Sequence, residues 1–405
     1  MRIADHASPA RRTPIPMMAA ACGITVANVY LSQPLLSLMA KTFHASATST
    51  GMVASAAQIG YALGILLVVP IADRADPKRL IRTLLALTTV ALLCAAASPT
   101  LPVLILMSLA VTVATVVPQA LIPVAVAISP TADAGKIVGT MQTGLILGIL
   151  LSRTASGAIG QFSHSWRMPY LVAAVLTGSL FFFLPRYIPH RNADAGQSTL
   201  SYMGLLRSLP TLLYRWRGLR FSALLGATMF GAFSAFWATL AFHLAQPPFG
   251  LGPAQAGLFG LWGAAGALLA PRCGRLADRF GPRAVNVLSL GAGAAAFIVF
   301  IIAGDASVIA LVIGVNLLDF ANQSGQIANQ ARIFKLDPAS RARLNTVYMV
   351  FTFAGGAVGS ALGTTAWSAG RWFGVCTAGA VLIGLAAGLM LFHRWFRDTP
   401  ATGTA

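Results

Sequence analysis

Two ionisable residues sit where ionisable residues are expensive. The sequence has 405 residues with ten Asp and no Glu, and only Asp319 falls near the middle of a long apolar segment; of 28 Lys and Arg, only Arg153 lies deep in one. A charge at the centre of a hydrocarbon layer costs at least about 2.5–3.5 kcal/mol on insertion scales, so a residue kept there needs a reason. Counted along their segments at 1.5 Å per residue, the two differ in depth by roughly 9 Å, a gap that a long Arg side chain or a water can bridge. Two chemistries fit. Asp319 is a proton or solute site whose protonation switches when a guanidinium moves or a solute arrives, or the two residues are a permanent pair that fixes helix packing. His243 is the other titrating candidate, but its place at a segment end predicts a surface histidine.

Other polar residues share these segments. Asn316, Asp319, Gln323, Gln326 and Gln330 follow i, i+3, i+4 steps and form one helical stripe. Such a stripe faces water or other helices rather than lipid, and its outer half at least is expected to line a water-filled cavity. Asn28, Tyr30 and Gln33 occupy successive depths around Pro34, Gln58 and Tyr61 lie three apart, Gln119 is bracketed by Pro118 and Pro123, and Gln142 opens a further segment. Each of these contacts a solute or makes a hydrogen bond between helices. Phe230, Phe233, Phe236 and Trp237 form an aromatic stripe that packing or lipid explains better than a pocket wall. Gly355, Gly356, Gly359 and Gly363 suit close helix packing. No Gly-rich phosphate loop ending in Lys-Ser/Thr, no HExxH and no nucleophile elbow occurs. Cys22, Cys94, Cys273 and Cys376 lack metal-ligand spacing. No cofactor, no metal and no enzymatic activity are expected.

The elements that position these residues follow from composition. Hydrophobic residues make up 57% of the chain, charged residues 9%, and the mean hydropathy is +0.75; soluble chains carry about 25% charged residues. A bilayer-crossing helix needs about 20 mostly apolar residues. Twelve stretches qualify, near Met17–Leu38, Gly51–Ile71, Leu80–Ser98, Pro102–Ile128, Val138–Gly160, Met168–Leu184, Phe221–His243, Ala254–Ala270, Ala284–Ala303, Ser307–Asn329, Thr346–Ser368 and Trp372–His393. The expected fold is an all-α membrane protein of twelve transmembrane helices in two six-helix pseudo-repeats: a first bundle over 1–190, a cytoplasmic linker over 191–219 and a second bundle over 220–405.

Lys and Arg collect in cytoplasmic loops. With both termini inside, 24 of the 28 fall in cytoplasmic segments, three (Lys41, Arg167, Arg371) fall outside and Arg153 is buried in a span. The net charge of +18 is thereby assigned to orientation against anionic headgroups of the bilayer, and no nucleic-acid partner is expected. An internal repeat supports the six-plus-six division. Asp73-Arg74 and Asp278-Arg279 are offset by 205 residues, while Gly139-Thr140 with Asn345-Thr346 and Gly157 with Gly363 are offset by 206. Repeats of this kind build transporters with a solute site near the midplane; a channel would show a filter segment, and none is visible.

Gly274-Arg275-Leu276-Ala277-Asp278-Arg279-Phe280-Gly281-Pro282-Arg283 resembles the loop motif of the major facilitator superfamily, G-x-L-a-D-R-x-G-x-R, at every defined position. The first-half copy keeps Asp73 and Arg74 with trailing basic residues but lacks both glycines. Asn28 to Leu36 and Arg343 to Met349 resemble a bacterial branch near the twelve-span drug:proton antiporters. Two departures stand against that branch: Val117-Pro118-Gln119-Ala120 lacks its fourth-span Arg, and Ile149 stands where its fifth-span motif has Pro. The resemblance implies a monomeric secondary transporter of the inner membrane, both termini cytoplasmic, exporting a small organic solute against protons by alternating access. Import of a polar nutrient by symport or uniport is the alternative. Asp319 and Arg153 would be the proton-coupling or charge pair. Asn28, Tyr30, Gln33, Gln58, Tyr61, Gln119, Asn316, Gln323 and Gln326 would line the cavity. Asp73, Arg74, Gly274, Asp278, Arg279, Gly281 and Arg283 would form a cytoplasmic gating latch, with Gly281 expected to turn at positive φ.

Overall fold

In hydrocarbon every backbone N–H and C=O must be satisfied within the segment, so apolar stretches of this length become helices. A computed structural model of the chain describes residues 15–72, 74–129, 134–188, 201–269 and 272–392. Ten of its helical stretches are long and apolar enough to cross a membrane. Two local features separate ten from twelve. The last two spans run together as one helical stretch, α16 (Arg341–Leu391), but Gly370 and Arg371 leave helical geometry within it, Arg371 at φ +51°. The eighth span is split at Gly263 into α11 (Pro253–Trp262) and α12 (Ala264–Leu269), each shorter than a membrane crossing.

The other elements, in chain order, are α1 (Ile15–Tyr30) and α2 (Leu36–Phe43), α3 (Ala47–Ala72), α4 (Pro77–Ala96), α5 (Leu101–Ala114) and α6 (Val117–Ala127), and α7 (Ala134–Phe162) with α8 (Arg167–Phe183). These form the first six spans, the first broken around Pro34 and the fourth before Pro118. After the linker helix α9 (Tyr202–Arg215) come α10 (Arg217–Leu244), α11, α12, α13 (Arg272–Phe280), α14 (Pro282–Ala303), α15 (Val308–Ile333) and α16.

The breaks are bridged by side chains. In an unbroken eighth span the Gly266 N–H would bond to the Trp262 carbonyl. Asn316 instead enters that ladder, its Nδ2 donating to Trp262 O at 2.6 Å while its Oδ1 accepts from Gly266 N at 3.0 Å. A side chain inserted in this way is a recognised cause of a helix kink. At the break between α5 and α6, the Thr115 hydroxyl donates to Thr25 O at 2.7 Å and accepts from Asn28 Nδ2 at 3.1 Å. Asn28 Nδ2 also donates to Thr177 Oγ1 at 3.3 Å, joining α1 to α8. A buried amide is satisfied here by neighbouring helices rather than by a solute.

Glycine sets the helix pairing, and it does so twice. In the first six spans Gly144 and Gly148 of α7 press onto the backbone of Ala19 and Gly23 in α1. In the last six, Gly355 and Gly359 of α16 press onto Ala227 and Gly231 in α10, and a Cβ on Gly363 would stand 2.7 Å from Ala235 Cα. The fifth span thus packs on the first as the eleventh packs on the seventh, the pairing a duplicated unit would produce. Most of the signature Gly274 to Arg283 is helix rather than loop: α13 ends at Phe280, and Gly281 takes φ +83° and ψ 157° as the N-cap of α14. That region is open essentially to glycine alone.

Candidate functional site

The two sets of six spans enclose a cavity of about 1530 Å³. One end reaches Pro77, Leu80, Lys136, Phe334 and Ala342, beside the Arg- and Lys-rich loops. The other end is closed by contacts between the first and last six spans. Thr48 on α3 meets Ser368 on α16 at 2.8 Å, and Ala254 N on α11 donates to Gln161 Oε1 on α7 at 2.9 Å. Gly157 of α7 packs against the Pro253 carbonyl.

Arg153 and Asp319 both line the cavity, deep in the fold. They are 1% and 4% exposed. The Arg153 Nε donates to Gln33 Oε1 at 2.7 Å. Its guanidinium carbon lies 3.7 Å from the Trp237 ring centre, 4.9 Å from that of Tyr30 and 5.6 Å from that of Phe233. An aromatic cage of this kind offsets part of a cation's desolvation. Arg153 Nη2, Asp319 Oδ2 and Trp237 Nε1 have no hydrogen-bond partner. The Trp237 side chain approaches the Asp319 carboxyl without reaching hydrogen-bond geometry. Among the described residues no basic nitrogen lies within ion-pair distance of Asp319.

Both side chains pack against the C-terminal end of α11, at Gly260 and at the break residue Gly263. A Cβ on Gly260 would lie 3.2 Å from Arg153 Cβ, and a Cβ on Gly263 would collide with Asp319 Oδ2. The two glycines leave room for the Arg153 stem and the Asp319 oxygen against this helix end.

The remaining candidate residues divide. Tyr30, Tyr61, Gln119, Gln323 and Gln326 lie in the cavity wall, with Asn322 and Gln330 of α15 and Gln142 of α7. Asn28, Gln33, Gln58 and Asn316 do not line it. Asn28 and Asn316 splice helix breaks, Gln33 holds Arg153, and Gln58 is buried with its Oε1 unpartnered. Along the stripe on α15, Asn316 serves the fold, whereas Asp319, Gln323, Gln326 and Gln330 face the cavity. The aromatic stripe on α10 is split. Phe230 and Phe233 face the cavity, whereas Phe236 stacks on Phe300 at 4.6 Å and Trp237 lies against Arg153. His243 is buried rather than on the surface. It stacks on Trp372 at 3.9 Å with one ring nitrogen 2.9 Å from Gly304 O; its span end is roofed by the following loops, which hydropathy does not report.

Of the signature residues, Asp73 lies outside the described residues, and Gly274 and Asp278 fall within α13 with their side chains outside them. Arg74, Arg279 and Arg283 are exposed, and the Arg279 guanidinium lies 5.0 Å from the Phe280 ring centre. Asn345 and Lys136 also face the cavity. The repeat match marked Asn345 without indicating a wall, and the charge count marked Lys136 only for orientation.

A twelve-span bundle whose two sets of six enclose a polar-and-aromatic cavity closed at one face defines a membrane transporter. The chain belongs to the Major Facilitator Superfamily, whose family model matches residues 18–360. It is 39% identical over 382 residues to the uncharacterized transporter YgaY of Escherichia coli O157:H7, covering 94% of this chain and 96% of that one. It is 36% identical over 380 residues to "Probable transporter SCO4007" of Streptomyces coelicolor, covering 92% and 86%. Among solved structures, the nucleoside transporter NupG superposes with a TM-score of 0.73 at 18% identity, covering 95% of this chain and 100% of that one. A bacterial homolog of the human lysosomal transporter Spinster, inward-facing and unoccupied, gives 0.72 at 15% identity, covering 97% and 100%. At these identities the superpositions describe the fold.

Proposed function

We propose that this transporter exports a small organic solute against inward proton flow, by alternating access of one cavity between the first and last six spans. The observation that carries the reading is Asp319, a buried carboxyl lining that cavity beside a guanidinium with which it makes no ion pair. A carboxyl so placed can exchange a proton for a solute donor group, which makes proton and solute alternatives at one site. Arg153 is the charge partner or the contact for an anionic group. The Asp278–Arg279 signature acts as a latch on the side carrying 24 of the 28 basic residues. By the same charge bias that side is the cytoplasmic one, both termini lie there, and the chain works as a monomer in the inner membrane.

The unpartnered Arg153 Nη2 favours a second reading, proton symport of an anionic nutrient that takes the guanidinium while Asp319 is protonated. One experiment separates the two. A solute that raises the melting temperature of the purified protein is first found by screening, since a ligand bound only to the native state stabilises it. Transport is then followed in inverted vesicles with an imposed acidic lumen, which drives accumulation by an antiporter only. Asp319→Asn should abolish the accumulation while folded protein persists in the membrane; undiminished gradient-driven transport in that variant would refute the role of Asp319.

A further inference from the structure

Resting on the efflux reading above, we propose that the solute is an amphipathic zwitterion, with an ammonium and a carboxylate a few bonds apart on an apolar body, the chemistry of hydrophobic α-amino acids and their short peptides. Two charged side chains at the head of the cavity each keep a buried atom without a partner, and the two atoms are of complementary kinds. Arg153 Nη2 is a donor and Asp319 Oδ2 an acceptor, while Trp237, outside the cavity wall, lies with its ring centre 3.7 Å from the Arg153 guanidinium carbon and its side chain toward the Asp319 carboxyl. A structural ion pair would have closed the gap between Arg153 and Asp319. Here Gln33 takes the Arg153 Nε, Asp319 Oδ2 packs against Gly263, and the two charged groups stay unjoined.

A solute that satisfies both groups needs an acceptor oxygen for Arg153 and a cationic donor for Asp319. A single cation leaves the Arg153 donor buried and unpaired. A single anion leaves the Asp319 oxygen unpaired and adds a second negative charge beside it. The body of the solute has a matching wall: Tyr61, Phe353, Phe230 and Phe233 form a continuous row, with successive ring centres 4.6, 5.2 and 5.5 Å apart, ending 5.6 Å from the Arg153 guanidinium. An ammonium binds Asp319 only when that carboxyl is ionised, so proton and zwitterion compete for one oxygen. The ionisable neighbours that face Asp319 among the described residues are Arg153 from α7 and Tyr30 from α1.

The test uses the full-length protein purified in detergent, with melting temperature read against four probes at neutral pH: L-phenylalanine, leucyl-phenylalanine, phenethylamine and 3-phenylpropionate. The two zwitterions should raise the melting temperature in a saturable manner at millimolar concentration, and the two singly charged probes should not. Arg153→Gln and Asp319→Asn should each weaken the zwitterion response by about tenfold or more, the factor for losing one charge-assisted contact. Trp237→Phe keeps the ring under Arg153 but loses the N–H beside the Asp319 carboxyl, so it should weaken the response to a smaller degree; the four-probe comparison on the unaltered protein keeps the test decisive should either charge variant fail to fold. Zwitterions without effect, or a singly charged probe matching them, would overturn the proposal. A lipophilic cation, tetraphenylphosphonium, that binds through Asp319 and is driven by a pH gradient would overturn the zwitterion while leaving proton-coupled efflux intact.

Discussion

Arg153 is placed by Gln33 as much as by its own helix. The 2.7 Å bond from its Nε to Gln33 Oε1 and the ring of Trp237 beneath it fix the direction in which Nη2 points. Gln33→Leu removes that acceptor and leaves a second buried donor unpaired, a loss of about 1–3 kcal/mol. The variant should melt earlier and transport poorly. Gln33→Glu presents a carboxylate to the same guanidinium and clamps it, so it should melt no lower than wild type while still transporting slowly. Equal transport in all three forms would mean that Arg153 does not move or bind during the cycle. At this scale the sequence identifies which residues are out of place in oil but not what satisfies them. Asn28 and Gln119 read alike as intramembrane amides, yet one is satisfied by Thr115 and Thr177 and the other lines the cavity. The difference lies in partners 87 and 149 residues away in the chain, which helical spacing does not encode.

At the scale of elements the reading is fuller, because hydropathy acts directly on whether a segment becomes a spanning helix. Glycine periodicity on α16 also showed its packing face: Gly355, Gly359 and Gly363 meet α10 without intervening side chains. What hydropathy misses are interruptions made by partners, such as the split at Gly263, where the cause is Asn316 on another helix. The α10–α16 contact yields a direct prediction. Gly359→Leu would drive a side chain into the Gly231 backbone, and overpacking of this kind costs about 1–3 kcal/mol or more. Gly384 lies on the same helical stretch with open space around it, so Gly384→Leu should stay within about 0.5 kcal/mol of wild type. Thermal unfolding in detergent, followed by loss of the monodisperse peak, should separate the two; a Gly359→Leu protein that melts with Gly384→Leu would show that α10 and α16 do not pack through their backbones.

Across the whole molecule, the first and last six spans touch at one face and part at the other. The closed face depends on two pairs of helices, α3 with α16 and α7 with α11, and each pair joins one set of six to the other. Alternating access requires both contacts to break while the opposite face closes, because a solute site reachable from two sides at once would be a leak rather than a coupled carrier. Thr48 and Ser368 offer a way to hold one of them. Their hydroxyl oxygens are 2.8 Å apart, which brings their Cβ atoms into the range that a disulfide or a short bifunctional reagent can span. In a background where Cys22, Cys94, Cys273 and Cys376 are replaced, Thr48→Cys with Ser368→Cys should cross-link under oxidation and stop transport, and reduction should restore it. A cysteine at Asn345, in the cavity wall toward the basic side, should remain reactive to an impermeant maleimide in the cross-linked protein, because its path does not run through the sealed face. Transport that survived cross-linking at the wild-type rate would show that this face need not open, and the rocking of one half against the other would have to be replaced by a smaller local motion.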